Sequence, residues 1–545
     1  MTTSFFKKNW LYQIEDSKEK NLFEIFKLSR QIKEESLEKF LHSSFKDLSS
    51  ADIFPDAKKI SQRIFRAIDK KEKIIVFGDF DLDGISASAI LFETLKALGA
   101  NVSVLLPSRS DGFGLSDKFV KHAIDNKINL FITCDCGISN CEEIEKLKEH
   151  KIDTIITDHH SIGEKVPEAF AIMHPAFLKK QSTDFTGAGV AFKLAQKLLT
   201  DKFVEKAENF LTYLLQLAAL GTIADVGELK NENRTIVALG IEALKTTKNR
   251  GLQKLFGISK IIPESIDSEK IAYLLAPRLN APGRISHPIY SLQLILGKTE
   301  NAQLIDQLNE RRKELTEKAL KEVYKKINTK NAAIIVKNNY LPSGIIGLVC
   351  GRIAEEFNKP TVIITKNKTK LIASCRGPEN FDFSANLKKL KDLFIKSGGH
   401  ARAAGFSMKE SNFLSFEKKF IALVEKDLGK DSLPPVLKID APINQSQLTI
   451  ENIELLQTFA PFGAGFPYPV FSFKNPQIDN IRLVGKNNDH FSARFNGFSG
   501  IGFCCEKMPE FIQDRNIEVA FTPEINTWNN QKEIKLKIVD VRKID

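Results

Sequence analysis

Between residues 73 and 173 the chain is punctuated by short apolar runs. They are KIIVF (73–77), NVSVLLP (101–107), NLFITC (129–134), IDTIIT (152–157) and FAIM (170–173). The intervening segments are long enough for helices. Strands separated by helices at this spacing predict an α/β domain with a mainly parallel sheet covered on both faces. In such sheets ligands bind beyond the carboxyl ends of the strands. Residues 1–60 read as a charged, helical N-terminal segment, and 61–300 as the parallel-sheet domain. A long amphipathic helix over 301–330 joins it to a smaller α/β unit at 331–430, opening with AAIIVKN (332–338). KDSLPP (430–435) reads as a linker. From 434 to 545 the pattern changes to alternating runs, VFSFKN, NIRLVGK, DHFSARFNG, IEVAFTPEI and EIKLKIVDVRKI. About five short strands with turns predict a small β-barrel, an OB-fold-like nucleic-acid-binding domain.

Composition narrows the class. A chain of 545 residues is too long for one core, and 42% apolar with 27% charged residues describes an ordinary globular protein. No apolar run approaches the ~18 residues of a membrane span. MTTSFFKKNWLYQIED reaches acidic residues too early for a signal peptide, so the expected location is the cytoplasm. The formal net charge of +11 is compatible with a polyanionic partner. Seven scattered cysteines, an odd number, read as reduced thiols. CDCGISNC has no second Cys/His pair at zinc spacing; Cys134 and Cys136 share one face of an extended segment and Asp135 takes the other.

The chemistry gathers at strand ends: GDFDLDG (78–84), CDCG (134–137) and TDHH (157–160), with Asp225 in GTIADVGEL after an apolar helix. A single aspartate there is commonly the N-cap of the next helix. Several on one rim are not explained that way, because adjacent carboxylates repel and call for a cation. Asp79, Asp81 and Asp83 open like an EF-hand loop, yet position twelve is Ile90 and a strand precedes the loop. A phosphatase with a nucleophilic aspartate does not account for the paired histidines. Alternate carboxylates on extended chain lie roughly 6–7 Å apart. They suit two ions about 3.5–4 Å apart, and a mixed Asp/His set favours Mn²⁺ or Mg²⁺.

These motifs, in this order, resemble motifs I to IV of the DHH phosphoesterase superfamily, and SGGHARAAGF (397–406) resembles the GGH signature of the associated DHHA1 domain. PSRSDGFGLS, TGAGVAFKLA, PRLNAPGR, SGIIGLVCGRIAEEFNKP and APFGAGFPYPVF extend the resemblance, from about residue 60 to the end, to its branch of bacterial exonucleases that digest single-stranded DNA from the 5′ end. That resemblance implies a DHH catalytic domain, a DHHA1 domain and an OB-like tail, with two Mn²⁺ or Mg²⁺ ions. It implies Asp81 and Asp83 as ligands of different ions, Asp135 as the bridging carboxylate, and His159 and Asp225 as further ligands of one ion. Asp79 is either a ligand of the other ion or stands behind the ligands. His160 would face the scissile phosphate, and hydrolysis would proceed in line without a covalent intermediate. Arg109, Arg278, Ser374 and Arg376 match positions around a 5′-terminal phosphate, and His400 and Arg402 would face the nucleic acid.

Three positions depart from the family pattern: Phe77 where a histidine is frequent, Leu341–Pro342 in place of Trp-His, and Phe466 in place of asparagine. In the tail, Phe491, Phe495, Phe498 and Trp528 are candidates for base stacking, though each could equally be barrel core. The implied partner is single-stranded DNA. A single-strand-binding protein and a helicase are the protein partners the reading allows, with a monomer as the expected state. Two other readings stay open: a DHH phosphodiesterase acting on short oligonucleotides or nucleotides, and an inactive DNA-binding scaffold.

Overall fold

The computed structural model describes residues 4–17, 20–109, 111–112, 114–178, 183–202, 207–429, 434–485, 488–503, 505–512, 516–528 and 531–544. The chain divides into two compact units. One comprises Ser44–Ser432 with Gly463–Phe466, the other Met1–Ser43, Leu433–Phe462 and Pro467–Asp545.

The larger unit begins with a five-stranded, wholly parallel sheet. Its order is Asn101–Leu105, Lys73–Gly78, Leu130–Cys134, Asp153–Thr157 and Ala171–Met173. The central strands are continuous apolar runs because helices cover both faces; Ile74, Val76, Phe77, Leu130, Ile132 and Ile155 are all buried. The helix Leu82–Ala97 is apolar nearly all round, and packs on the sheet and on the helices Gly187–Asp201 and Ala207–Ala224. The helix Asn301–Tyr324 leads to a second five-stranded sheet, ordered Phe394–Gly399, Ala403–Met408, Lys370–Arg376, Thr361–Asn367 and Ile334–Lys337. Only the last pair is parallel. Leu341 belongs to the apolar core between the Ile346–Phe357 helix and this sheet. Phe466 is buried beneath the Arg234 guanidinium, 4.9 Å from its ring centroid.

The smaller unit is built on a seven-stranded sheet. Its order is Ala441–Pro442, Phe471–Lys474, Ile517–Trp528, Gln531–Lys543, Phe498–Gly502, His490–Phe495 and Ile478–Val484. The N-terminal stretch, expected to be helical, contributes a strand: Asn9–Tyr12 runs parallel to Val436–Ile439. Buried acids fasten it. Trp10 Nε1 donates to Asp540 at 2.9 Å, and Tyr12 donates to Glu518, which also receives Arg542 at 2.6 and 3.0 Å. The amphipathic pattern of residues 22–41 does yield helices, Leu22–Ser29 and Glu34–Leu41. Phe491 and Phe495 are fully buried, which decides for barrel core over base stacking at these two positions; alternation puts both on the core side of one strand. Phe498 is half-buried, and the side chain of Trp528 lies outside the described residues. Among the described residues no helix is long and apolar enough to cross a membrane.

Candidate metal centre

Strand register assembles the site. Gly78, Cys134, Thr157 and Met173 lie side by side across the parallel sheet. The residues that follow them, Asp79, Asp135, Asp158 and His174, therefore leave the sheet along one edge. The ladder continues one step into this row: Asp135 N–H donates to the Thr157 carbonyl at 2.9 Å, and Asp158 N–H to the Met173 carbonyl at 3.2 Å. Asp135 then takes a left-handed conformation at φ 59°, which side chains other than glycine adopt at a cost.

The aspartates of GDFDLDG do different work. Asp81 caps the helix Leu82–Ala97, its Oδ1 accepting from the N–H groups of Asp83 and Gly84 at 3.1 and 3.2 Å. Asp83, in the first turn of that helix, accepts from Gly187 N–H at 2.7 Å and Ala188 N–H at 2.9 Å, where the helix Gly187–Asp201 begins. That partial positive charge suits a carboxylate. Gly187 leaves the room: a Cβ there would fall 2.5–2.7 Å from the Asp135 side chain. The cap reading of a strand-end aspartate thus holds for Asp81, alongside whatever else it binds.

His159 sits at the centre, its Nε2 3.0 Å from Asp135 Oδ1, 3.7 Å from Asp225 Oδ2 and 3.8 Å from Asp83 Oδ2. Among the described residues, three sets bring their ligand atoms within 4.8 Å of one another: Asp83, His159 and Asp225; Asp79, Asp81 and Asp135; and Asp135 with His159 and His160. Asp79 Oδ1, Asp135 Oδ1 and His159 Nε2 are buried without a hydrogen-bond partner. Burial and mutual repulsion push Asp79 up to about 8, Asp83 to about 7 and Asp225 to about 8; burial and the Asp83 charge raise Asp135 well above the carboxylate range. Burial, then the neighbouring His160, holds His159 down at about 3, as a neutral imidazole with a lone pair to give. Orphaned oxygens, repelling acids and a neutral imidazole are what two divalent cations would relieve. Oxygen and imidazole donors without thiolate suit Mn²⁺ or Mg²⁺. Cys134 and Cys136 are buried thiols with raised pKa values, and Phe77 packs its ring against Phe119 and Phe131 in the core, 4.8 and 5.8 Å away.

His160 stands beside this group with a partner the motif reading overlooked. Its Nδ1–H donates to Asp158 Oδ1 at 2.8 Å. Asp158 also accepts from the backbone N–H groups of Ile138, His159 and His160. Burial lowers the affinity of His160 for a proton, but the Asp158 bond and charge, with Asp79 and Asp225, reverse this and raise it to about 9. His160 is therefore a cation at neutral pH. The His400 ring lies stacked 5.2 Å from it, while Arg402 is exposed and ion-paired with Glu379.

The arginines fall into two groups. Arg109 lies over the Phe80 ring at 4.4 Å, within electrostatic range of Asp79, Asp81 and Arg376. Arg376 Nη1 donates to Ser374 Oγ at 3.3 Å. Arg278 is instead held by Asp306, 2.9 Å away, and by the Leu274 carbonyl. Arg284, six residues on, lies within electrostatic range of Arg109, Arg312 and Arg376; burial and these cations lower it to about 9 against the opposing charge of Asp81. Partly buried, mutually repelling guanidinium groups favour a bound anion. Asp158 and Arg284 were the omissions from the sequence reading. Both lie inside quoted motifs, TDHH and PRLNAPGR, but the buried acid and the second arginine needed geometry to stand out.

Known proteins carry the same three parts. The DHH family N-terminal domain matches residues 73–222, the DHHA1 domain 309–426, and the RecJ OB domain 439–540. The chain is 31% identical over 529 residues to the single-stranded-DNA-specific exonuclease RecJ of Bacillus subtilis, covering 93% of this chain and 66% of that protein. It is 31% identical to RecJ of Salmonella typhimurium, covering 88% of this chain and 89% of the relative. Crystalline RecJ of Thermus thermophilus in complex with Mn²⁺ superposes with a TM-score of 0.82 at 26% identity, over 96% of this chain and 76% of that one. With all three domains matched in order and this identity sustained over most of the relatives' length, the chain belongs to the RecJ family.

Proposed function

We propose that the chain hydrolyses single-stranded DNA from its 5′ end, releasing mononucleotides, in DNA repair and recombination. The carrying observation is Asp79, Asp135 and His159, each with a buried atom that lacks a hydrogen-bond partner, with an arginine cluster beside Asp81. Asp83, His159 and Asp225 would hold one ion, Asp79 and Asp81 the other, and Asp135 both. Bound there, Mn²⁺ or Mg²⁺ supplies charge neutralisation at phosphorus and a nucleophilic water at neutral pH. The residues of the chain do the rest. His160, kept cationic by Asp158, faces the non-bridging oxygen where negative charge grows. His400, stacked beside it, narrows the site around the phosphodiester. Arg109, Arg284 and Arg376, with Ser374, take the 5′-terminal phosphate, and closing the groove there restricts cutting to ends. Arg278 holds Asp306 and supports that wall. The OB domain supplies a further surface for single strands. The reading further places the protein in the cytoplasm as a monomer, receiving its strand from a helicase and a single-strand-binding protein.

The test is digestion of 5′- and 3′-labelled single strands, with duplex as control, in Mn²⁺ and in Mg²⁺. The 5′ label should be released first as a mononucleotide, and both chelator and Asp135→Ala should abolish activity. Chelator-resistant cleavage, or equal release of both labels, would sink the proposal.

A further inference from the structure

The fourth member of the strand-end row, His174, has no part in the chemistry above. It follows the strand Ala171–Met173 and is 3% exposed. Its Nε2 lies 2.8 Å from the His160 carbonyl oxygen, and its Nδ1 3.0 Å from the backbone nitrogen of Ala176. A carbonyl can only accept and an amide N–H can only donate, so the ring is the neutral tautomer with its proton on Nε2. Burial favours the same neutral form. One nitrogen caps the short helix Pro175–Phe177; the other reaches back fourteen residues to the loop that follows Asp153–Thr157.

We propose that His174 is a positioning residue. Its Nε2–H braces the His160 carbonyl and fixes the loop that presents His159 to the metal and His160 to the scissile phosphate. The two sides of the loop are then held differently: Asp158 secures the His160 ring, and His174 the His160 backbone. The inference rests on the metal-site reading of His159 and His160.

Two substitutions separate the brace from the cap. Glutamine places its amide nitrogen where Nε2 stands and loses the Nδ1 acceptor; asparagine places an oxygen where Nδ1 stands and cannot reach the His160 carbonyl. Mn²⁺ affinity by calorimetry, with kcat and KM on a 5′-phosphorylated single strand, is compared for H174Q, H174N and wild type below the lowest melting midpoint. H174Q should stay near wild type, while H174N loses about 10–100-fold in Mn²⁺ affinity or kcat with KM little changed, the range for partners behind metal ligands. The inference is overturned if H174N matches wild type, or if H174Q is impaired as much as H174N, which would make the cap or the ring's shape the determinant. Wild-type protein that takes up no Mn²⁺ overturns the metal reading, and this inference with it; a metal-binding wild type with an unaffected H174N overturns the inference alone.

Discussion

Asp158 shows how one buried carboxylate sets the protonation of its neighbour. Four N–H donors converge on it, three from backbone and one from His160. It stays ionised because the imidazolium and these donors outweigh the penalty of burial. Asp158→Asn keeps the shape and removes the charge, so His160 should titrate well below its present value of about 9. The wild-type ratio of kcat to that of the variant should then rise steeply between pH 6 and pH 8, where only the wild-type imidazole remains charged. A ratio independent of pH would remove His160 from charge stabilisation. The residue was hidden in plain view: TDHH drew attention to its histidines, and nothing in a lone aspartate tells a ligand from a counter-ion.

At the scale of elements, the helix Gly187–Asp201 matters as much as the strands. Its first two N–H groups fix Asp83, and its first residue can be only glycine without displacing Asp135. Gly187→Ala should weaken Mn²⁺ binding and destabilise the protein by about 1–3 kcal/mol, the usual cost of overpacking. Paired melting curves with and without Mn²⁺ would show it. Unaltered metal affinity would mean that Asp135 relaxes freely. TGAGVAFKLA was recognisable as a motif, but the reason for its glycine lies in a carboxylate fifty-two residues away.

For the whole molecule, the uncompensated acids tie stability to pH and to metal. Asp79 and Asp83 have native pKa values raised to about 8 and 7 by burial and by Asp81, so the native state binds their protons more tightly than the unfolded chain. Their contribution is complete below about pH 4, the ordinary carboxylate value, and is lost as pH rises through 7 and 8. His160, raised to about 9, loses its contribution over about pH 6.5 to 9, in the same direction. His159, lowered to about 3, acts oppositely, but its contribution is already complete above about pH 6.5. The metal-free protein should therefore melt at a lower temperature at pH 8 than at pH 6.5. Mn²⁺ should stabilise more at pH 8, because the ligands must shed protons to bind it. A metal-induced shift in melting temperature that is larger at pH 6.5 would contradict the assignment of these acids as ligands.

Much of this protein was legible in one dimension. Continuous apolar runs identify a parallel sheet because strands buried on both faces have no polar side to show, and motif order with characteristic glycines and acids identifies the family. Tertiary structure decided what depends on register and distance. That Gly78, Cys134, Thr157 and Met173 share one level is what turns separate strand ends into a single row, and it recruits His174 from a run with no motif. Which arginine joins Arg109 and Arg376 was settled by the turn of one helix, since Arg278 faces Asp306 and Arg284 the cluster. Likewise Phe491 and Phe495 went to the core on strand alternation that only the pairing of that sheet could orient. Residue types and their order along the chain specify the chemistry that is possible. The distances that make it happen come from contacts between residues far apart in sequence.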